Sequence, residues 1–311
     1  MAPRLVLAFL LIVVASLAFD SGIDSSNAPM MDAPTASPSS MPTVIPTLAP
    51  VPIATATSVP TLVPAITQTP TPPIRPTARI NRVPMLMYHY VSVPPPDADI
   101  FRLDLSVTPQ AFEEQMAYLA SSGYHTVRVA DVVAHLANGT PLPNKPIVLT
   151  FDDGYADIYE SVFPILKKYR MTATFYVITQ FTEDRKAGYV TWEQLREMAN
   201  AGMEIGSHSL DHSDLRNRTT AFLNNQMMGS KRLIESRLGI IVRTFSYPAG
   251  KYDTRALTVA RTSGYLGAVT EIQGVQQSES DLFEMRRVRV RGSYSLTDYT
   301  YWLNWFMESG R

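Results

Sequence analysis

Two adjacent carboxylates stand at the end of an apolar run in "VLTFDDGYAD" (residues 148–157). The run is typical of a buried strand, and Asp152 and Asp153 follow it directly. Adjacent like charges repel each other, and burying a carboxylate without a partner is costly. A positive group should therefore accompany them, unless the two acids only form a turn and cap the next helix.

Two histidines stand four residues apart in "HSLDH", His208 and His212, at the end of another predicted strand. One helical turn or a tight loop puts both imidazoles on one side, where one metal ion can bridge them. Surface histidine pairs also occur at this spacing. Two histidines and one carboxylate form a three-ligand set with an open position for water, as a catalytic zinc site requires. The pattern predicts that one aspartate ligates a metal and that its neighbour serves as a base.

The elements that must position these residues begin near Val83, from where predicted strands alternate with predicted helices. About seven or eight β units in about 230 residues favour a parallel (β/α) barrel over an open sheet. Reactive groups of such barrels lie at the carboxyl ends of the strands. The pattern predicts a strand ending at His89, a helix capped by Thr108, and helices over residues 158–169, 192–201, 254–263 and up to residue 238.

Residues 1–80 have a different composition from the rest of the 311-residue chain, with almost no charged side chains. Arg4, an apolar run over residues 5–17 and small residues at 16–18 predict a signal peptide over residues 1–20. An uncleaved membrane anchor is the alternative. Residues 21–80 are rich in Pro, Thr, Ser and Ala and are predicted to form a disordered linker. The remaining residues, 81–311, are predicted to form one globular domain.

The overall composition excludes several kinds of site and partner. A formal net charge of −1 argues against nucleic-acid binding. The chain has no cysteine, so disulfides and thiolate metal sites are excluded, and a metal must be held by His, Asp or Glu. A signal sequence followed by a stalk predicts a protein outside the cytoplasm, secreted or held at a membrane or cell wall by its N-terminus.

Three motifs in order, "TFDDG", "HSLDH" and "FSYPAGKYD", resemble the successive motifs of the polysaccharide deacetylases, the NodB-homology family 4 of the carbohydrate esterases. The resemblance covers about residues 145–291, within a domain core that extends to the end of the chain. It implies a distorted (β/α) barrel and a deacetylase activity on N-acetylated glycans. It also implies dependence on Zn²⁺ or another divalent metal such as Co²⁺.

The resemblance also assigns roles to five residues by position. Asp152 matches the catalytic base, and Asp153 matches the carboxylate ligand of the metal. His208 and His212 match the two histidine ligands. Ala249, which follows the proline of "YPAG", matches the residue whose backbone N–H stabilises the oxyanion.

The chain departs from the common family pattern in two places. Many members carry a catalytic histidine in a late motif, but no histidine follows His212. "PMLMYHYVS" instead resembles the poly-N-acetylglucosamine deacetylases, in which this motif lies near the N-terminus and His89 takes the role of the acid. A buried core histidine is the alternative. The arginine that many members place before the proline motif is also missing, and Arg243 is too far back, so the partner of Asp152 stays open.

Other residues leave two interpretations open. His125 and His135 have no acidic partner in sequence and are predicted to be structural or at the surface. Four aromatic residues could stack on sugars but more simply form core or rim contacts: Tyr155, Trp192, Tyr247 and Tyr294. "RRVRVR" (residues 286–291) puts Arg287, Arg289 and Arg291 on one strand face. That face is either solvated or in contact with a glycan.

Together these features predict an exported, metal-dependent N-deacetylase of a β-linked N-acetylglucosamine polymer. One alternative is a hydrolase of O-acetyl esters on the same scaffold, such as a xylan deacetylase. Another is a barrel that binds glycan without turning it over, against which the complete Asp-His-His set argues.

Overall fold

The computed structural model describes residues 81–309. The signal peptide or anchor predicted over residues 1–20 and the linker predicted over residues 21–80 lie outside the described residues. Within residues 81–309, no helix has both the length and the apolar character needed to cross a bilayer.

Strands and helices alternate along the described chain. The strands are β1 (Met85–Tyr88), β2 (His125–Val127), β3 (Pro146–Phe151), β4 (Thr174–Val177), β5 (Glu204–Ser207), β6 (Thr244–Ser246), β7 (Gly267–Gln273) and β8 (Met285–Arg289). The α-helices are α1 (Ile100–Asp104), α2 (Pro109–Ser121), α3 (Val129–Asn138), α4 (Phe163–Tyr169), α5 (Thr179–Glu183), α6 (Trp192–Asn200), α7 (Thr220–Asn224), α8 (Ser230–Leu238), α9 (Thr254–Thr262) and α10 (Leu296–Ser309). Two π-turns, Ile158–Val162 and Asn225–Gly229, and two 3-10 turns, Pro248–Gly250 and Glu279–Asp281, complete the elements.

The strands form a closed parallel ring. β1 pairs with both β3 and β8, and the pairing continues from β3 through β4, β5, β6 and β7 to β8. β2 adds to the amino-terminal half of β3, along residues 146–148. Within the described residues, seven strands thus close a barrel and an eighth lies beside it. The predicted (β/α) barrel is confirmed.

The inside of the barrel changes from apolar to polar along the strands. One buried apolar cluster joins residues of β1, β3, β4, β7 and β8 to α3, so it fills the interior near the amino-terminal ends of the strands. Side chains of a strand alternate between its two faces. The inner face therefore continues, in steps of two residues, to three polar residues: His89 from Met85, Asp152 from Val148 and Arg287 from Met285.

One glycine makes room for a large side chain in this interior. A Cβ on Gly206 of β5 would come within 2.5 Å of the Tyr176 ring of β4. The ring is completely buried, and its hydroxyl donates to Thr244 Oγ1 at 3.2 Å. Glycine at position 206 thus lets this tyrosine fill the barrel below the polar layer.

The predicted helices are present, but two of them, over residues 158–169 and up to residue 238, include a π-turn. Thr108 caps α2 as predicted, because its Oγ1 accepts from Ala111 N–H at 3.2 Å. The helix predicted over residues 158–169 instead begins as a π-turn and becomes α-helical at Phe163. Pro164 has no N–H to donate to the carbonyl of Glu160, so a regular α-helix cannot run through this point. Helices α1, α5 and α10 were not predicted from the sequence pattern.

Candidate active site

The predicted catalytic residues stand at the same end of the barrel. Asp152 follows β3, His208 follows β5 and His89 follows β1. Parallel strands place these ends together. The register pairs Tyr88 with Phe151, so the next residues along each strand, His89 and Asp152, lie side by side. The Asp152 N–H donates to the Tyr88 carbonyl at 3.0 Å.

Asp153, His208 and His212 form a compact group of three ligand atoms. Asp153 Oδ1 lies 3.4 Å from Nε2 of His208 and 3.4 Å from Nε2 of His212. All three atoms lie within 4.8 Å of one another. Asp153 and His208 are buried, and His212 is partly exposed, so the group is open to solvent on one side. Among residues 81–309, this is the only set of three or more such side chains that could hold a metal ion.

The orientation of His208 is fixed from behind the site. Its Nδ1 lies 2.8 Å from the carbonyl oxygen of Ser246, at the end of β6. A carbonyl can only accept, so Nδ1 carries the proton and Nε2 keeps a free lone pair. This hydrogen bond from Nδ1 to the Ser246 carbonyl, of a kind common behind metal-binding histidines, orients the ring so that Nε2 points toward Asp153.

These three residues fit a divalent metal. Asp153 Oδ1 is buried and has no hydrogen-bond donor within the described part of the chain, which is costly unless a cation accompanies it. Burial raises the pKa of Asp153, but the nearby histidines outweigh it and hold the pKa below its ordinary value, so the carboxylate is charged. Two imidazole nitrogens and one carboxylate oxygen are ligands of catalytic Zn²⁺. The three residues predicted from the sequence could therefore hold such an ion.

The backbone around this group adopts unusual conformations. Positive φ angles occur at Asp153 (75°), Ser209 (68°), His212 (67°) and Ala249 (48°), half of the eight non-glycine residues with positive φ between residues 81 and 309. Such conformations cost free energy and persist only where surrounding contacts hold them. Ser209 Oγ supplies one such contact by accepting from the His212 N–H at 3.0 Å.

The partner of Asp152 is Arg287, at the centre of β8. The two terminal nitrogens of its guanidinium donate to the carboxylate, Nη1 to Oδ1 at 2.8 Å and Nη2 to Oδ2 at 2.7 Å. Ser246 Oγ donates to Oδ2 at 3.2 Å. Burial raises the pKa of Asp152, but the charge and hydrogen bonds of Arg287, together with the nearby His208 and His89, outweigh it and hold the pKa well below its ordinary value. Asp152 is thus a charged carboxylate at neutral pH, although only 2% of it is exposed.

Sequence reasoning missed this role of Arg287. The two interpretations of the arginine face, solvated or in contact with glycan, are both wrong for Arg287, which is completely buried inside the barrel. Arg291 does lie at the surface, paired with Asp104. The alternation in "RRVRVR" predicted that Arg287, Arg289 and Arg291 share a strand face. It could not show that closure of the barrel turns Arg287 toward Asp152. Arg243 precedes β6 and lies at the opposite end of the strands.

His89 is buried beside the two aspartates, with 8% of its surface exposed. Burial lowers the pKa of His89 below its ordinary value, and the charges of Asp152 and Asp153 oppose this shift without cancelling it. Arg287 and Arg289 also lie close enough to disfavour its protonated form. His89 therefore lies in the same polar layer of the barrel interior as Asp152, the predicted base.

Ala249 follows β6 in a 3-10 turn, Pro248–Gly250, and is exposed. Its φ of 48° and ψ of 27° turn the chain sharply directly after the strand that holds His208 from behind. The amide predicted to stabilise an oxyanion is thus part of an exposed, sharply bent segment at the carboxyl end of the barrel.

The other predicted candidates have structural surroundings. Tyr155 stacks on Tyr90, at 3.7 Å between ring centres, and lies 5.2 Å from the tilted ring of Tyr189. Its ring therefore packs against other tyrosines, in agreement with the interpretation of a rim contact. Tyr247 is completely buried, Trp192 donates to Glu183 and Tyr294 packs against the core. His125 and His135 bond through Nδ1 to the carbonyls of Asn144 and Thr140, far from the metal ligands in sequence.

Comparisons with known proteins agree with this fold and identify the family of the chain. The family model "Polysaccharide deacetylase" matches residues 139–268. The Bacillus subtilis protein YxkH, whose name assigns it to the polysaccharide deacetylases, is 32% identical over 214 residues, covering 69% of this chain and 73% of that protein. The chain belongs to the polysaccharide deacetylase family, and the resemblance of the three successive motifs to this family is confirmed.

Two further comparisons concern individual members. The solved structure of the Streptococcus pyogenes deacetylase PplD in complex with acetate superposes with a TM-score of 0.66 at 30% identity, covering 71% of this chain and 97% of that one. The Escherichia coli poly-β-1,6-N-acetyl-D-glucosamine N-deacetylase is 37% identical over 119 residues. That match covers 34% of this chain and only 18% of the E. coli protein. Relatives of this deacetylase thus include an enzyme that hydrolyses amides of an N-acetylglucosamine polymer.

Proposed function

We propose that this deacetylase removes N-acetyl groups from a β-linked N-acetylglucosamine polymer, with the three-ligand group holding the metal. The proposal rests above all on Asp152, a buried carboxylate kept charged by Arg287 next to the Asp153, His208 and His212 group. A base next to a group that can hold a metal ion is an arrangement suited to the hydrolysis of an unactivated amide. The name of the E. coli relative supports the choice of polymer.

Asp152 is the proposed general base. It is ionised because Arg287 holds its pKa low. Its carboxylate is fixed in orientation because Arg287 donates a hydrogen bond to each of its two oxygens. As water attacks the acetyl carbon, Asp152 takes the proton that the water loses. A base with so low a pKa is weak, so the reaction depends on a group that acidifies the water.

Asp153, His208 and His212 would hold a divalent ion, which when bound would lower the pKa of the attacking water and polarise the acetyl carbonyl. The chain itself contributes the Ala249 N–H, which donates to the oxygen that becomes negative as the tetrahedral intermediate forms.

His89 is the proposed general acid. The amine cannot leave as an anion, so its nitrogen must be protonated as the C–N bond breaks. His89 lies beside Asp152, where an imidazolium can donate this proton and return to the neutral form that burial favours. The products are acetate and a glucosamine unit with a free amine.

We further propose that residues 81–311 form the catalytic domain and that residues 1–80 export the protein and hold it outside the cytoplasm. Support comes from the apolar start of the sequence and from its Pro- and Thr-rich tract, which contains 13 of the 24 prolines. A polysaccharide substrate at the cell exterior is consistent with such a location.

Acetate release from defined polymers tests the proposed reaction. We expect release from poly-N-acetylglucosamine, together with new primary amines in equal amount, because amide hydrolysis frees both groups. Acetylated xylan is the matched ester substrate. Release from xylan alone would favour an O-acetyl esterase, and binding of either polymer without acetate release would favour a barrel that only binds glycan.

Metal removal should abolish turnover. With its ion removed by a chelator, the protein has no group to acidify water for the weak base Asp152, so acetate release should fall to background. Adding Zn²⁺ or Co²⁺ should restore it, while Mg²⁺, which prefers oxygen ligands, should not. Full turnover by protein shown to be metal-free by elemental analysis would contradict the proposed mechanism.

A further inference from the structure

The loop that carries both histidine ligands rests against one helix. Helices α7 and α8 and the π-turn between them run continuously from Thr220 to Leu238. Gln226 lies in the π-turn and is 1% exposed. Its Oε1 accepts from the N–H groups of Leu210 at 3.1 Å and Asp211 at 3.3 Å. Both amides belong to the short segment between His208 and His212.

A second residue on the same helix, Ser230, contacts the residue that directly precedes His208. Ser230 lies one turn after Gln226, so the two side chains share a helix face. Ser230 Oγ lies 2.7 Å from the Oγ of Ser207, the last residue of β5. This face of the helix therefore contacts the chain immediately before His208 and again two residues after it.

The π-turn that presents Gln226 is itself stabilised by side chains. Its wide turn changes the hydrogen-bonding of the helix, and the Met227 carbonyl accepts from the Tyr265 hydroxyl at 2.8 Å and from Ser230 Oγ at 2.9 Å. π-turns inside α-helices are rare and often occur at functional sites. Gln226 lies in such a turn, and its side chain bonds to the histidine loop.

The histidine loop needs such support because its own conformation is unfavourable. Ser209 and His212 have positive φ angles of 68° and 67°, and such conformations are unfavourable for residues with a side chain unless the surroundings compensate. On its other side the loop bonds to α5, where the Gln180 N–H donates to the Leu210 carbonyl at 2.8 Å. The Gln226 oxygen has two lone pairs and can satisfy both loop amides at once.

We propose that Gln226 is a positioning residue of the metal site: by holding the Leu210 and Asp211 amides, it places His212 within ligand distance of Asp153 and His208. This inference rests on the proposed metal dependence of the enzyme. Gln226 thus helps to determine the metal affinity, although it is buried and contacts neither metal nor substrate.

Metal affinity of the full-length chain tests this role directly. Zn²⁺ affinity is measured by competition with a chelator, and the Co²⁺ absorption spectrum reports ligand geometry. Gln226→Met keeps the volume but removes the acceptor, and it should weaken Zn²⁺ binding by about 10- to 100-fold, as loss of a supporting contact behind a ligand commonly does. At saturating metal, kcat should stay near that of the wild type. Gln226→Glu keeps an acceptor oxygen and should restore most of the affinity.

Gln115 provides the matched control. It is also a glutamine with 1% exposure on a helix, and its Oε1 accepts from the Tyr88 hydroxyl at 2.8 Å, away from the histidine loop. Gln115→Met should lower Tm without changing Zn²⁺ affinity. If Gln226→Met fails to fold, Gln226→Asn serves instead, because it keeps the amide but withdraws the acceptor by one methylene.

Unchanged Zn²⁺ affinity in a folded Gln226 variant would overturn the proposal, whatever its Tm. So would an equal loss of affinity in Gln115→Met, since the effect would then reflect general destabilisation. Failure of the wild-type protein to bind Zn²⁺ or Co²⁺ at all would instead contradict the proposed function. The two failures are therefore distinguishable.

Discussion

Arg287→Met should abolish deacetylation and strongly destabilise the fold. The substitution leaves Asp152 buried without its charged partner, and breaking a buried ion pair from one side typically costs about 3–5 kcal/mol. It also removes the donors that Arg287 extends to Thr270 and Thr150. Without the guanidinium, burial dominates and raises the pKa of Asp152, so the base becomes protonated. We expect kcat/KM to fall by at least about 10²-fold, the usual contribution of general-base catalysis.

The pH dependence separates loss of the base from general damage. In the wild type the folded pKa of Asp152 lies below its unfolded value, so the pair stabilises the fold above the ordinary carboxyl range, and this stabilisation is lost as the pH falls through the folded pKa. In Arg287→Met the folded pKa lies above the unfolded value, so the sign reverses. The stability difference between the two proteins, measured by urea unfolding, should therefore narrow as the pH is lowered from 7 toward 4.

Two further variants complete the test. Arg286→Met changes the neighbouring arginine, which is exposed on the opposite strand face, and should leave both activity and stability unchanged. Asp152→Asn combined with Arg287→Met removes both charges and should recover much of the lost stability while staying inactive. Arg287→Met with wild-type kcat/KM and an unshifted acid limb of its pH profile would show that Arg287 does not tune the base.

The three residues proposed as metal ligands could be picked out from the sequence because local patterns carry them. An apolar strand followed by Asp152 and Asp153, and a histidine pair after another strand, place chemistry at strand ends before the order of the strands is known. The structure brings together the three residues predicted as ligands, in one group within 4.8 Å. Their role in binding a metal stays a prediction until an ion is measured.

The supporting contacts could not be predicted, because they depend on how distant segments meet. Arg287 is 135 residues from Asp152, and the two meet only because β1 pairs with both β3 and β8 and closes the ring. Gln226 reaches the histidine loop through a π-turn, for which the sequence has no simple periodic signal. In both cases the sequence shows which residue type is present but not the geometry that brings it to its partner.

His89→Asn should separate the proton donor from the metal site. Asparagine fills a similar volume but cannot protonate the leaving amine, so kcat should fall by about 10²- to 10⁴-fold, the range of one general acid–base group. His89 is not among the three ligand residues, so Zn²⁺ stoichiometry and Tm should stay close to wild type. His208→Asn should lose metal and activity together. His125→Asn, which changes an exposed histidine bonded to the Asn144 carbonyl, is the neutral control.

The pH profile gives the sharper test of His89. A general acid must carry its proton, so kcat/KM should fall as the pH rises through the pKa of His89 in the free enzyme. Burial lowers that pKa below its ordinary value, so this limb should lie on the acid side of 6.5, and His89→Asn should lack it. Suppose instead that His89→Asn loses stability but keeps its activity per folded molecule. His89 would then be a buried core histidine, and the amine would receive its proton from Asp152, which gains one when water attacks.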